Sequence, residues 1–259
     1  VVRPPTIPPT VRFGGYHIHT NRSDGNWSVD EVAAAAARAG LHFIILTDHG
    51  DATRAPDPPA YRHGVLVIDA VEISTADGHV VALNLERPSP YPLAGRARDV
   101  IDDIHRLGGW AVVAHPDSPK RDLQWSAWDT PYDGVEWINV DSEWRDVPKT
   151  RLVVTALRAM VRGPESITAL FKRPDGTISR WAEELKHRPV VALGAMDAHG
   201  TFPLGKAVLR TVWQGVELDA PLSGQAGDDA RKVLETMHRG LTFTMLPAIA
   251  GPAVLGFTA

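Results

Sequence analysis

SVDEVAAAAARAGLHFIILTDH, residues 28–49, decides the fold. Ser28 followed by Glu31 has the form of a capping box, in which each side chain satisfies the other residue's backbone N–H at a helix start. The Ala-rich run then carries a helix to Ala39, and Gly40 supplies the left-handed residue that closes it. Leu41 to Leu46 is a short, partly β-branched apolar run that fits a strand buried on both faces. Directly after it come Asp48 and His49, two polar groups at a strand's C-terminal end.

The same grammar repeats in both directions. Tyr16 to His19 ends an earlier strand, Val65 to Val71 is a later one, and His79 to Leu85 reads as a strand paired to it. Arg96 to Leu107 is an amphipathic helix stopped by Gly108 and Gly109. Trp110 to Ala114, Val135 to Val140, Pro189 to Ala195 and Ala207 to Trp213 are predicted strands. Thr150 to Val161, Ser179 to His187 and Asp229 to Arg239 are predicted helices. Six or seven strand–helix units predict a parallel α/β fold, and fit a closed barrel better than an open sheet.

The candidate chemistry sits at the strand ends. His17 and His19 follow the first strand, Asp48 and His49 the second, Glu72 the third and His115 the Trp110 strand; Asp197 and His199 follow the Pro189 strand. That is the catalytic face of an α/β barrel, where residues distant in sequence converge. In His17-x-His19 the two-residue spacing along a strand predicts imidazoles on one side. Each piece has a plainer reading. Asp48 fits a capping turn or a supporting role, His79 an ordinary strand histidine, and Glu72 a buried ion pair. Jointly they predict a metal site. His42, His63, His105, His187 and His238 fall at strand starts, loops or helix faces and are expected to be bystanders.

Composition narrows the class. There is no cysteine, so a metal here is held by nitrogen and oxygen ligands and disulfides are excluded. The formal net charge is −4 and no Lys/Arg run stands out, so no nucleic-acid-binding surface is indicated. No apolar run approaches the roughly 20 residues of a bilayer span. Residues 1–13 read as an extended Pro-rich lead-in, 14–246 as the catalytic barrel, and 247–259 as the start of a further segment, as in a piece of a longer protein. The cytoplasm is the expected compartment; an opening without Met leaves export open. Oligomeric state is not legible.

The motifs resemble those of the polymerase-and-histidinol-phosphatase (PHP) family of metal-dependent hydrolases. The resemblance covers about residues 14 to 215. It rests on Tyr16-His17-Ile18-His19-Thr20 with Ser23-Asp24-Gly25, Leu46-Thr47-Asp48-His49, Val71-Glu72-Ile73-Ser74-Thr75 with Gly78-His79, Ala114-His115-Pro116, and Asp197-Ala198-His199-Gly200, in the family's order. Within the family, Glu72 to Leu83 and Gly134-Val135-Glu136 look most like a branch that includes carbaryl hydrolases. The resemblance implies a distorted TIM-like (β/α)7 barrel and two or three divalent ions, manganese, zinc or iron. It implies that His17, His19, Glu72 and Asp197 hold the first ion, with Glu72 bridging to a second held by His79 and His115. Asp24, His49 and His199 would hold a third. Glu136 is open between a ligand and a residue that supports one. Asp197, Glu72 and His199 are the residues expected to act in catalysis.

Nine such ligands include three carboxylates, so three divalent ions would leave the site at about +3, suited to activating a water as a metal-bridging hydroxide and to an anionic ester. The expected substrate is a small-molecule phosphate ester, with Lys120 and Arg121 as candidate contacts or simply a solvated loop. Two other readings stand beside it. Trp125, Trp128, Trp137 and Trp144 crowd the region after His115 and would wall a carbamate or carboxylic ester pocket, unless they are core. A non-catalytic metal-binding module of a larger protein is the third; no expected ligand is missing. An exonuclease role, also known in the family, would need a basic groove that is not seen.

Overall fold

The elements run in the order β1 (Val11–Ile18), α1 (Val29–Ala39), β2 (Phe43–Leu46), β3 (Ala60–Arg62), β4 (Val65–Asp69), β5 (Val71–Thr75), β6 (Gly78–Leu83), α2 (Ala97–Arg106), β7 (Trp110–Val113), β8 (Gly134–Asn139), α3 (Val140–Arg145), α4 (Lys149–Arg162), α5 (Pro164–Thr168), α6 (Asp175–Glu184), β9 (Val191–Ala195), α7 (Gly205–Val208), β10 (Trp213–Glu217), α8 (Ala226–His238) and β11 (Thr242–Met245). They come from a computed structural model that describes residues 7–145, 147–200 and 205–249.

The capping box at α1 is formed: Glu31 N–H donates to Ser28 Oγ, and Ser28 N–H donates to the Glu31 carboxylate at 2.9 Å. Gly40 closes the helix at φ 89°. Phe43 and Ile45 on β2 face an inner cluster, while Ile44 and Leu46 face the layer that includes Val32 and Ala36 of α1. Burial on both faces is why this strand is apolar at every position.

The strands form two sheets, one in the order β11-β10-β1-β2-β4-β3 and the other β5-β6-β7-β8-β9. The inner cluster joins them, with Phe43, Ile45 and Leu66 from the first, Val81, Leu83, Val112 and Leu193 from the second, and Val233 and Met237 of α8 alongside. Each seam carries one isolated β-bridge, Ile18 with Ala198 and His49 with Glu72. His19 N–H donates to Ala198 O at 2.9 Å, and Gly50 N–H donates to Glu72 O at 3.0 Å. The sheets thus meet where the candidate ligands lie.

Four expectations are corrected. The sheets are mixed: β1–β2, β2–β4, β7–β8 and β8–β9 are parallel, while β1–β10, β10–β11, β3–β4, β5–β6 and β6–β7 are antiparallel. The run Val65 to Val71 breaks at Ala70, so β4 belongs to one sheet and β5 opens the other. The strand carrying His79 pairs with β5 and β7, not with β4. Ala207 to Trp213 is not a strand: α7 and a turn occupy it, and the strand is β10 at Trp213–Glu217.

Candidate metal centre

Backbone geometry at the site is unusual. His17 (φ 63°), His115 (φ 30°) and Asp197 (φ 46°) all lie in the left-handed region, which non-glycine residues seldom adopt. The register of β1 against β2 shifts between Gly15 and Ile18, around His17. The imidazoles of His17 and His19 do meet, with ring centroids 5.1 Å apart. A kinked strand end brings them together, not plain alternation along a strand. Gly25 supports the same corner. A Cβ there would lie 2.4 Å from His19 O, so only glycine lets the Asp24 turn fold back so closely.

Four donor atoms converge. His17 Nε2 lies 3.1 Å from His19 Nε2, 3.3 Å from Glu72 Oε2 and 3.5 Å from Asp197 Oδ1. His19 Nε2 lies 3.3 Å from both Glu72 Oε2 and Asp197 Oδ1. A cation about 2.0–2.1 Å from each donor sets donor–donor edges of about 3.3 Å in a tetrahedron and about 3.0 Å in an octahedron. The observed separations match that spacing. As hydrogen bonds they fit poorly, because two imidazole nitrogens 3.1 Å apart share at most one proton between them. His19 Nδ1 is buried and makes no hydrogen bond. The donor set therefore fits a divalent ion.

The other oxygen of the same carboxylate serves a second group. Glu72 Oε1 lies 2.9 Å from His79 Nδ1 and 2.9 Å from His115 Nε2. A third group, Asp24, His49 and His199, adjoins His19: Asp24 Oδ2 is 3.2 Å from His199 Nε2 and 3.6 Å from His49 Nε2. His49 belongs to both sides, since its Nδ1 is 3.3 Å from Glu72 Oε2. The first group is buried, whereas the side chains of His49 and Asp24 are 34% and 52% exposed. The site is closed at His17 and open at Asp24. All nine expected ligands are brought together.

Outer hydrogen bonds orient the rings. His17 Nδ1 donates to Glu136 Oε1 at 2.5 Å, His115 Nδ1 donates to Leu123 O at 3.1 Å, and His199 Nδ1 donates to Asp197 O at 3.0 Å. In each case the proton is fixed outward and the Nε2 lone pair is directed inward. Glu136 thus stands behind His17, and its Oε2 accepts from His115 N–H and from Asn139 Nδ2, both at 2.8 Å. Asp48 faces away from the cluster. It accepts from Thr20 N–H, Thr20 Oγ1 and Ser23 Oγ, each at 2.7 Å, and so ties the loop after His19 to the end of β2.

Charge follows the geometry. Burial pulls the His17 imidazole's pKa down, but the carboxylates of Glu136, Asp197 and Glu72 outweigh it and raise it well above the usual value. His19 is likewise raised, to about 9, against burial and by Asp197 and Glu72. Burial would raise Glu72, yet His17, His115 and His19 hold it well below the carboxylate range. Asp197 is lowered in the same way, against burial and by His17, His19 and His199. Without ions, protons on imidazoles neutralise the buried acids. His49, more open, is lowered by burial.

Other residues fall elsewhere. Lys120 and Arg121 lie on an exposed turn, where Lys120 O accepts from Leu123 and Gln124 N–H, and they line neither of the two clefts that adjoin the ligands. Trp125 is buried against Tyr132 in the cluster containing Ile101 and Val113, and Trp128 packs half-buried on the same ring. Trp137 Nε1 donates to Thr244 Oγ1 and Trp144 Nε1 to Asp141 Oδ1. Of the four tryptophans only Trp137 lines a cleft beside the site. Its cationic neighbours there, Lys172 and Arg173, precede α6 and come from far along the chain; Arg22 and Arg54 line the cleft beside His49. Sequence reasoning missed all four cations, which carry no motif. Of the bystander histidines, His42 accepts from Phe13 N–H, His63 faces Asp30, His105 faces Asp133 and His238 stacks on Trp110.

No protein-family model matches the chain, and no curated protein matches it in sequence. Its fold does match solved structures. A two-domain protein from Bacteroides vulgatus, containing a predicted PHP-like metal-dependent phosphoesterase, superposes with a TM-score of 0.59 at 16% identity, over 95% of this chain and 68% of that one. The lesion-specific endonuclease PfuEndoQ from Pyrococcus furiosus superposes with a TM-score of 0.54 at 15% identity, over 91% of this chain and 58% of that one. This chain therefore spans less than two thirds of the endonuclease. An endonuclease Q in complex with a 27-mer duplex bearing an abasic lesion matches at a TM-score of 0.50 and 15% identity. The fold is the distorted α/β barrel of the PHP type.

Proposed function

We propose that the chain is a metal-dependent phosphoester hydrolase. The carrying observation is that His17 Nε2, His19 Nε2 and Glu72 Oε2 lie 3.1–3.3 Å from one another, with Asp197 Oδ1 3.3–3.5 Å from both imidazoles, a spacing that suits a shared cation. His79 and His115 with Glu72 would hold a second ion, and Asp24, His49 and His199 a third. Manganese, zinc and iron all suit these donors. Bound divalent ions supply Lewis acidity and a water that deprotonates near neutral pH.

The chain's own residues supply the rest. Glu72 presents one oxygen to each of two donor groups and so fixes their separation. Glu136 holds the proton on His17 Nδ1 and keeps Nε2 a lone pair. Asp24, His49 and His199 line the exposed edge, where water and substrate enter. The backbone strain at His17, His115 and Asp197 is the cost of aiming side chains from three different strand ends at one point.

The carbamate and carboxylic ester reading drew its support from an aromatic wall. Trp125 is instead a core residue and Trp128 packs half-buried against the same cluster, which leaves Trp137 as the one of the four that lines a cleft beside the ligands. The binding-module reading rested on lost ligands; here nine side chains assemble. Val11 to Phe13 belong to β1 and pair with β10, so the proposed lead-in shortens to 1–10, while the further segment stays proposed at 247–259; residues 1–6 and 250–259 lie outside the described residues. No helix among the described residues is long and apolar enough to cross a membrane.

The test is release of nitrophenolate from matched phosphate, carboxylate and carbamate esters by manganese- or zinc-loaded protein. The expected result is turnover of phosphate esters that is abolished in Asp197→Ala. Turnover confined to the carbamate or carboxylate would overturn the phosphoester assignment, and turnover retained in Asp197→Ala would overturn the site.

A further inference from the structure

Two separate clefts adjoin the ligand cluster. One, of about 350 Å³, reaches it at His49; the other, of about 310 Å³, reaches it at His115. His79 stands between these two imidazoles, its ring 5.6 Å from that of His49 and 5.1 Å from that of His115. A group held at His49, His79 and His115 would therefore have a cleft at either end. Both clefts are near the lower end of the volumes that hold small ligands, roughly 300 Å³, so each suits one modest substituent.

Their walls differ. The His49 cleft is charged: Arg54 Nη2 donates to Asp69 at 2.7 Å, and Arg22 pairs with both Asp69 and Asp57. The His115 cleft has Trp137, Ile138, Pro116 and Pro174 among its walls, with Asn139 and Thr177 as neutral polar groups. Neither offers surplus positive charge. In the first, Arg22 and Arg54 share the lining with Asp48, Asp51, Asp57 and Asp69; in the second, Lys172 and Arg173 share it with Asp117, Glu136, Glu143 and Asp175. Away from the ions, the path on both sides repels further anions. A polynucleotide would have to lay neighbouring phosphates along those walls, and a phosphate monoester would leave one cleft unfilled.

Resting on the phosphoester reading above, we propose that the substrate is a small phosphodiester with two uncharged or cationic arms. The arm in the His49 cleft is polar, and the arm in the His115 cleft is flatter and less polar. In the reaction, water's oxygen forms a new bond to phosphorus and the bond from phosphorus to one arm's oxygen breaks. That arm leaves as an alcohol carrying one of water's protons, the other proton passes to solvent, and the second arm remains on a phosphate monoester.

The test compares bis(para-nitrophenyl) phosphate, para-nitrophenyl phosphate and a single-stranded oligonucleotide as substrates of the metal-loaded chain. Two cleft-filling variants accompany it. Arg54→Trp acts on the His49 side. Gly176→Phe acts on the His115 side, where the atoms nearest to a Cβ are those of the Asp117 carboxylate, at 3.4 Å and beyond. The expected result is kcat/KM at least about tenfold higher for the diester than for the monoester. Each variant should lower diester turnover by about tenfold or more, with melting temperature and metal content retained. Preference for the monoester or the oligonucleotide would overturn the inference and leave the phosphoester reading standing, as would diester turnover indifferent to either filling variant. Turnover of carboxylate or carbamate esters alone would overturn both. If a variant fails to fold, the preference of the unaltered chain decides.

Discussion

Glu72 and Asp229 are both buried acids, 1% and 0% exposed, and their surroundings could hardly differ more. Asp229, in the first turn of α8, accepts from Ser223 N–H at 2.8 Å, Ser223 Oγ at 3.0 Å, Gly224 N–H at 2.8 Å and Tyr61 Oη at 2.7 Å. Every donor is neutral and fixed, so the carboxylate is complete as it stands. Glu72 has no such donors. Five imidazole nitrogens, from His17, His19, His49, His79 and His115, lie between 2.9 and 3.3 Å from its two oxygens. Those nitrogens face Glu72 with either a proton or a lone pair. The first arrangement is an ion-free site and the second a metal site. A buried acid ringed by neutral donors is architecture, and one ringed by imidazoles is a site that exchanges protons for cations.

The largest expected effect separates the two directly. Glu72→Gln keeps the shape and removes the charge; bound metal should be lost and turnover should fall by about 10³-fold or more, while Asp229→Asn should change neither. Metal analysis after dialysis, alongside a turnover assay, makes the comparison. Next in size is the support behind His17. Glu136→Gln and Asn139→Ala should weaken metal affinity by about 10- to 100-fold, as read by competition with a chelating dye, because each loosens a ring without removing a ligand. Unchanged affinity in both would mean that His17 is oriented by packing alone.

The acids should also part in their response to pH. His19 is raised from 6.5 to about 9 in the ion-free protein, so its contribution to stability is full below pH 6.5 and is lost as pH rises through about 9. Ion binding displaces that proton, so metal affinity should rise over the same window. The ion-free protein should therefore lose melting temperature from pH 6.5 to 9 while the metal-loaded protein keeps it; parallel curves would contradict proton–metal exchange. Asp229 runs the other way. Burial pushes it up, but the hydrogen bonds of Ser223, Tyr61 and Gly224 lower it below 3.8, so its contribution is present above that value and is lost as pH falls below it. Asp229→Ala should cost about 1–3 kcal/mol in chemical denaturation with metal content intact. Smallest is the α1 cap, where Ser28→Ala should cost about 1 kcal/mol and leave the site untouched.

What was legible in the sequence was local. The α1–β2 unit carries its cap, its stop and its apolar run in contiguous residues, and the ligand candidates were visible because they follow such runs. What was not legible depends on distant partners. β10 hides because Gln214, fully buried, accepts from Gly194 N–H and donates to Phe243 O, a tertiary satisfaction that breaks the apolar pattern of a strand. The preceding Ala-Val-Leu run looked more strand-like and is helix and turn. The bend at Ala70 sent the His79 strand to the other sheet. The left-handed backbone at His17 has no glycine to announce it. Lys120 and Arg121 were singled out by nearness to His115 in sequence, but the chain turns them outward. Lys172 and Arg173 reach the cleft only because α6 packs there.

The most direct test of the central claim is anomalous diffraction from crystals grown with manganese or zinc. The expected result is an ion about 2.0–2.2 Å from His17 Nε2, His19 Nε2, Glu72 Oε2 and Asp197 Oδ1 together, with further density on the His115 or Asp24 side of Glu72. Absence of any ion among those four atoms at saturating metal would contradict it.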